Sequence, residues 1–304
     1  MTRAGLASGL AWATVSVLCW APLFSIAKRT LPYLDAFALG TARYLLGVVL
    51  LVMLLVAVEG RGALSFQGRL AAATGFGLLG ITGFNLFVWG GLMFTTPEHA
   101  SVILALQTPL TALLVWLVRH QRPSGFTLGC VAVAIAGVLL VVTKGELSVP
   151  AGNLLGDLLV FLGAVSWVTY TLAAGHFAGW SPLRLTTLTC IPGLGGLALA
   201  HAAAVAAGWV ALPTLEAIGS VWWQILYFSI GTVVLGVLGF NNAARRLGPL
   251  NTMLMLNIIP ILVFAIEAAL GRRFSALELG GAAVVVGSLV ANNLYLRRQT
   301  RGKS

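Results

Sequence analysis

Sliding the chain against itself by 151 residues lays Pro109 on Pro260, Gly80 on Gly231, Arg122 on Arg273, Ser124 on Ser275 and Gly129 on Gly280. The gap-free match continues through Leu128 on Leu279, Ala132 on Ala283 and Val133 on Val284. It therefore covers three hydrophobic segments and the turns between them. Self-similarity at one fixed period decides architecture before any local signal does, because each copy must fold as the same unit. The chain reads as two copies, residues 1–150 and 151–304.

The unit belongs in a membrane. Hydrophobic residues make up 59% of the chain and charged ones 9%, with a mean hydropathy of +0.97, whereas soluble domains carry about 25% charged residues. The first apolar stretch, 6–27, is long enough to span and carries no small-residue cleavage site, so it reads as a first transmembrane helix rather than a removable signal. The formal charge of +10 does not point to nucleic acid, because no basic face with interleaved aromatics lies outside the apolar segments. Cys19, Cys130 and Cys190 each stand alone in an apolar segment, without CxxC spacing or a nearby histidine, so no metal or redox cofactor is expected.

A span needs about 20 mainly apolar residues to cross a core of roughly 30 Å. Ten segments qualify, near 6–27, 34–58, 70–92, 98–118, 124–143, 153–176, 182–206, 221–243, 249–270 and 275–296. The expected fold is all-α and integral to the membrane. With both termini in the cytoplasm, that side receives twelve basic residues: Arg3, Arg61, Arg69, Arg119, Arg122, Arg184, Arg245, Arg246, Arg297, Arg298, Arg301 and Lys303. The outer side receives five: Lys28, Arg29, Lys144, Arg272 and Arg273. This bias supports termini inside. Five spans per copy is an odd number, so the second copy enters the membrane the opposite way round. Inverted repeats of this kind can hold one site between them and present it to either side in turn.

Few residues could carry a site. Trp20 and Trp167 occupy matching places in the first and sixth spans, roughly 18 to 20 Å from the helix start. That depth suits neither of them to the interfacial tryptophan belt that fits Trp116, Trp209, Trp222 and Trp223, so they either line a cavity or pack between helices. Pro22 loosens the first helix near Trp20, and Tyr170 lies one turn from Trp167 on the same face. Gln107 and Asn257 sit about 12 Å into the fourth and ninth spans, one residue off repeat equivalence. A buried amide must find a partner, in a neighbouring helix or in a polar substrate. Asn85 and Trp89 in the third span, and Asn241 and Asn242 in the eighth, are further candidates at a depth nearer an interface.

Charge within the bilayer is costly and usually functional. Arg43 lies about 13 Å into the second span, where it either attracts a substrate carboxylate or pins helices through carbonyls or an acid such as Glu267. Glu267 itself lies near the outer end of its span and reads as a solvated residue. The remaining acids, Asp35, Glu59, Glu98, Glu146, Asp157, Glu216 and Glu278, fall in loops or terminal turns, and His99, His120, His176 and His201 lie near helix ends. No acid or histidine is therefore expected at mid-membrane, and ion coupling is not indicated. Hydrolytic pairs, GxSxG, HExxH and Walker-type GxxxxGK[ST] motifs are all missing from the sequence. ATP-driven pumping and enzymatic chemistry are not expected, nor is any cofactor. Gly75, Gly77, Gly80 and Gly83, and Gly193, Gly195 and Gly196, suit close helix packing.

The Trp20–Phe24 segment, Arg43 in the second span, and the stretch from Pro109 to Gly137 resemble the drug/metabolite transporter superfamily in its EamA-domain branch. The resemblance extends over essentially the whole chain and is nearest to members that export aromatic amino acids. In that family each half ends as a proline, an apolar run, Gly-Glu, a short turn and a glycine-rich helix. Pro260 to Gly271, then Arg272-Arg273-Phe274-Ser275 and Leu279-Gly280-Gly281, follow the layout with Arg272 where the acid is usual, and Gln121 takes that place in the first half. A role of that acid cannot be carried over. The resemblance implies export of small organic metabolites across a bacterial inner membrane, most plainly amino acids including aromatic ones, by alternating access. Nucleosides, sugars or drugs are the alternative cargo, and a passive channel is the alternative mechanism. The substrate-binding set on this reading is Trp20, Asn85, Trp89, Gln107, Trp167, Tyr170 and Asn257, with Arg43 as the charge; the other partner is the bilayer.

Overall fold

The structure, a computed structural model, describes residues 3–120, 122–143 and 151–301. Expectations placed on Gln121, Lys144, Glu146, Lys303 and the boundary between copies at 150 lie outside the described residues.

Ten long helices follow one another: α1 (Arg3–Thr30), α2 (Ala36–Glu59), α3 (Leu70–Phe94), α4 (Pro97–Leu117), α5 (Gly125–Thr143), α6 (Ala151–Ala173), α7 (Pro182–Ala206), α8 (Trp222–Leu247), α9 (Asn251–Ala269) and α10 (Ala276–Arg301). Among the described residues nine of these are long and apolar enough to cross a membrane, and α10 is apolar over Ala276–Asn292. Local signals set their ends. Asp35 caps α2 by accepting from the amides of Phe37 at 2.8 Å and Ala38 at 3.1 Å, and Thr96-Pro97 and Ser181-Pro182 open α4 and α7 with a capping hydroxyl and a proline that needs no donor there. Gly248, at φ +85°, turns the chain between α8 and α9.

Two irregularities recur at the repeat offset. The α4 helix breaks at Leu106 and α9 at Asn257, residues 151 apart and in nearly the same conformation (φ −64°, ψ −9°; φ −66°, ψ −8°). Pro109 and Pro260 follow three residues later. A proline removes the donor to the carbonyl four residues back, so the Ala105 and Leu256 carbonyls lose their usual helical partner. Likewise α3 widens to π-helical winding over Leu78–Gly83 and α8 over Tyr227–Val237, around Gly80 and Gly231.

The helices pair in a scheme that returns to itself when five is added to each number. Thus α1 lies against α8 and α9, as α6 lies against α3 and α4, while α2 faces α7, α4 faces α9 and α5 faces α10. The α5–α10 contact is antiparallel: a Cβ on Gly137 would stand 2.7 Å from Val285, and one on Gly281 2.7 Å from Val141. Glycine at both places lets the backbones meet. Large side chains such as Leu18, Met53, Leu139 and Leu199 stay exposed along the outside. Water would penalise such a surface, and hydrocarbon does not.

Candidate functional site

A cavity lies among α1, α2, α3, α4, α6, α8 and α9. Its position follows from the two helix breaks, since Ala105 and Gln107 on either side of the α4 break, and Leu256 and Ile259 around the α9 break, all contribute to its wall. The two carbonyls freed by Pro109 and Pro260 thus belong to lining residues. The α2 helix joins the wall through Arg43 and Tyr44 and brings the charge.

That charge is Arg43, 3% exposed. Its guanidinium carbon stands 4.9 Å from the centre of the Trp89 ring and 5.0 Å from that of Tyr44. Its Nε and Nη1 have no hydrogen-bond partner. No acid pins it: Glu267, the partner considered for it, pairs instead with Arg29 (3.2 Å) and is buried rather than solvated. A buried cation set against aromatic faces, hydrogen-bonded to Tyr44 but with Nε and Nη1 unpartnered, keeps donors for an anion, and a planar carboxylate can take them.

The opposite wall is aromatic. Trp20 meets Trp167 edge to face at 5.6 Å, and Phe240 lies 5.7 Å from Trp20 and 5.3 Å from Trp167. Phe84 packs against Trp167 at 5.3 Å. Trp20 is positioned by its Nε1, which donates to the Thr232 carbonyl at 3.0 Å, and Gly236 leaves room for the indole, since a Cβ there would come within 2.9 Å of the Trp20 Cε2. Trp20, Trp167, Gln107 and Arg43 therefore share one cavity.

The other expected residues stand behind this wall. Asn85 donates to the Ile81 carbonyl at 2.6 Å and accepts from Trp89 Nε1 at 2.7 Å, so both are fully buried and act together to fix the ring beneath Arg43. Both lie in the interior of the helix bundle, with Arg43 of α2 over the Trp89 ring. Tyr170 stacks on Trp167 at 5.3 Å, but its hydroxyl is engaged by Thr189 at 3.2 Å and Asn241 at 3.3 Å, outside the lining. Asn257 accepts from Thr108 at 3.4 Å and joins the two helix breaks to each other. Asn242 turns back to the Leu238 carbonyl at 2.9 Å.

The two ends of the molecule differ. At the C-terminal end of α1, Lys28 donates to the carbonyls of Leu92 (2.6 Å), Met93 (3.3 Å) and Thr95 (2.7 Å), Arg29 pairs with Glu267, and Arg272 pairs with Glu98 and Glu278. His99 lies 3.6 Å from Asp157. The acids read as loop or terminal-turn residues do lie at helix ends, yet Glu98, Asp157, Glu267 and Glu278 are all buried. At the other end a recess of about 1000 Å³ is bounded by Thr171, Phe177, Trp180, Leu185, Asn241 and Arg245, among others. Thr171 and Asn241 lie one turn beyond Trp167 and Val237, so one layer of side chains separates recess from cavity. No cluster of three or more metal-ligating side chains occurs among the described residues.

The sequence matches the EamA-like transporter family twice, over residues 7–143 and 154–294. It is 27% identical to the uncharacterized transporter YrdR of Bacillus subtilis, over 98% of this chain and 95% of that one. It is 28% identical to the uncharacterized transporter YyaM of the same organism, over 89% of each. A crystal structure of a protein 19% identical in sequence shares the fold, with a TM-score of 0.70 over 96% of this chain and 99% of that chain.

Proposed function

This chain belongs to the EamA-like transporter family, and we propose that it exports small carboxylate-bearing metabolites, most directly amino acids with aromatic side chains, across the bacterial inner membrane. The observation that carries the reading is Arg43, a buried guanidinium whose Nε and Nη1 lack partners at the wall of a cavity otherwise faced by Trp20, Phe84 and Trp167. The carboxylate docks on Arg43, the side chain lies against the rings, and Gln107 and the loosened carbonyls of Ala105 and Leu256 take the ammonium.

Movement is by alternating access between two inverted five-helix halves. The recurrence of helix breaks at Leu106 and Asn257, the pairing scheme and the antiparallel α5–α10 crossing support this. Ten spans with both termini in the cytoplasm put the recess on the cytoplasmic side and the charged end outside. Substrate then enters from the recess when the Trp20–Trp167–Phe240 layer parts, and leaves when the charged end opens.

Counterflow in proteoliposomes tests the cargo. Vesicles loaded with unlabelled phenylalanine, tyrosine or tryptophan should accumulate the labelled amino acid transiently. Exchange of nucleosides or sugars with none of amino acids defeats the cargo, and non-saturable flux without exchange makes the chain a channel.

A further inference from the structure

We propose that His99 and Asp157 form a proton-binding site that couples export to the transmembrane proton gradient, an inference that rests on the transport reading above. The pair lies where α3 ends and α4 and α6 begin, and both side chains are more than nine-tenths buried. His99 Nδ1 is 3.6 Å from Asp157 Oδ2, and Thr95 Oγ1 donates to Asp157 Oδ1 at 2.5 Å while standing 3.5 Å from His99 Nδ1. Asp157 Oδ2 and His99 Nε2 have no hydrogen-bond partner. An imidazole held against a carboxylate, with one nitrogen in reserve, is a proton acceptor set in a membrane protein, where such groups mark proton relays.

The local pairing assigns the proton. At this end Arg29 faces Glu267, Arg272 faces Glu98 and Glu278, and Lys28 donates to carbonyls, while Asp35, Glu216 and Arg273 also lie toward this end and are less buried. Among the described ion pairs Asp157 meets only His99. A buried carboxylate without a cation is penalised, and a proton held between Asp157 and His99 relieves it.

The site is tied mechanically to the cavity. The Pro97–Ala105 half of α4 is buried along its whole length. It carries Glu98 and His99 at one end and Ser101, Leu104 and Ala105 in the cavity wall at the other, and the break at Leu106 frees it from the rest of α4. Ser101 binds back to the Glu98 carbonyl at 2.8 Å. Loss of the proton leaves the closed charged end with uncompensated charge and favours its opening, which releases substrate outside. Uptake of a proton from outer water by His99 balances the cluster and closes it. The proton then passes to cavity water when the recess side opens, the cavity wall beginning at Ser101 two residues along the same helix, so one proton enters as one substrate leaves.

The test is radiolabelled phenylalanine transport into proteoliposomes with the membrane potential clamped at zero. An acid-inside gradient of one pH unit should drive about tenfold accumulation for one proton exchanged, the same factor as the gradient itself. His99→Gln and Asp157→Asn should each keep phenylalanine counterflow, which shows that they fold, and lose gradient-driven accumulation. Wild-type counterflow without any response to the gradient overturns the coupling and leaves the transport reading standing. Retained gradient response in both variants overturns the site, and loss of counterflow in both makes the pair structural and overturns it too. No counterflow by the wild type with any amino acid defeats the cargo reading, and this inference with it.

Discussion

Replacing Arg43 by methionine separates two roles that the same residue could play, because stability and binding should move in opposite directions. The guanidinium is 3% exposed and rests on two rings at 4.9 and 5.0 Å. Desolvated cation–π contacts contribute about 2 kcal/mol each, while burying the cation costs several kcal/mol. These terms nearly cancel, and methionine keeps most of the apolar stem, so the melting temperature of the empty protein should hold or rise. A substrate carboxylate, however, loses its charged partner, which costs about 2 to 5 kcal/mol in a buried pair. At 1.4 kcal/mol per factor of ten, apparent affinity in counterflow should fall roughly 30- to 4,000-fold. Arg43→Lys keeps a point charge without the fork and should fall between the two. Purified Arg43→Met protein would be melted by intrinsic tryptophan fluorescence and assayed for phenylalanine counterflow over a concentration series. A melting temperature many degrees lower combined with normal affinity would refute the reasoning and make Arg43 a bolt between Tyr44 and Trp89.

Three further outcomes follow from the packing. Gly236→Ala places a methyl against the Trp20 indole, so Trp20 must turn away at an overpacking cost of about 1 to 3 kcal/mol, and counterflow should drop more than the folded fraction does. Pro260→Ala restores a donor to the Leu256 carbonyl; the melting temperature should rise while transport falls, and unchanged transport would exclude the α9 break from the cycle. With Cys19, Cys130 and Cys190 removed, Phe126→Cys together with Tyr295→Cys should be joined by a short thiol-reactive bifunctional reagent, because the two rings lie 4.5 Å apart across α5 and α10. Failure to cross-link in detergent would count against the antiparallel α5–α10 crossing.

Spans were legible because apolar length alone decides them. The breaks at Leu106 and Asn257 were not, since Pro22 and Pro192 stand inside α1 and α7 and those helices run on unbroken. Trp20 and Trp167 stood out by matched depth in matched helices; that they meet edge to face at 5.6 Å is visible only in the fold. Packing between helices was not legible. Asn85 and Trp89 are fully buried, with Arg43 of α2 over the Trp89 ring, and helix-to-helix contact has no local signature. The burial of Glu98, Asp157, Glu267 and Glu278 was hidden for the same reason. Glu98 sits in the first turn of α4, a place that reads as solvated, but Arg272 arrives there from a turn 174 residues away. The sequence did carry one hint: in the ten-span topology seven of the eight acids, all but Glu59, fall near the ends of spans on one side.

Arg272 stands where an acid is usual in similar transporters, and its position accounts for the departure. At that turn an acid would face Glu98 and Glu278, two carboxylates that arginine joins instead, and like charges in a buried site repel strongly. The copies therefore share a backbone plan while their ends carry different chemistry. The charged end is held by the ion pairs of Arg29 and Arg272 and by the His99–Asp157 contact. The recess end closes through aromatic packing and through Arg69 and Arg245, which donate to the carbonyls of His176 at 2.9 Å and Trp180 at 2.7 Å. Two identical ends would open with equal cost and respond alike to any ion. Ends that differ in this way let a proton bias one of them alone, which a carrier needs if its two symmetric halves are to move cargo in one direction.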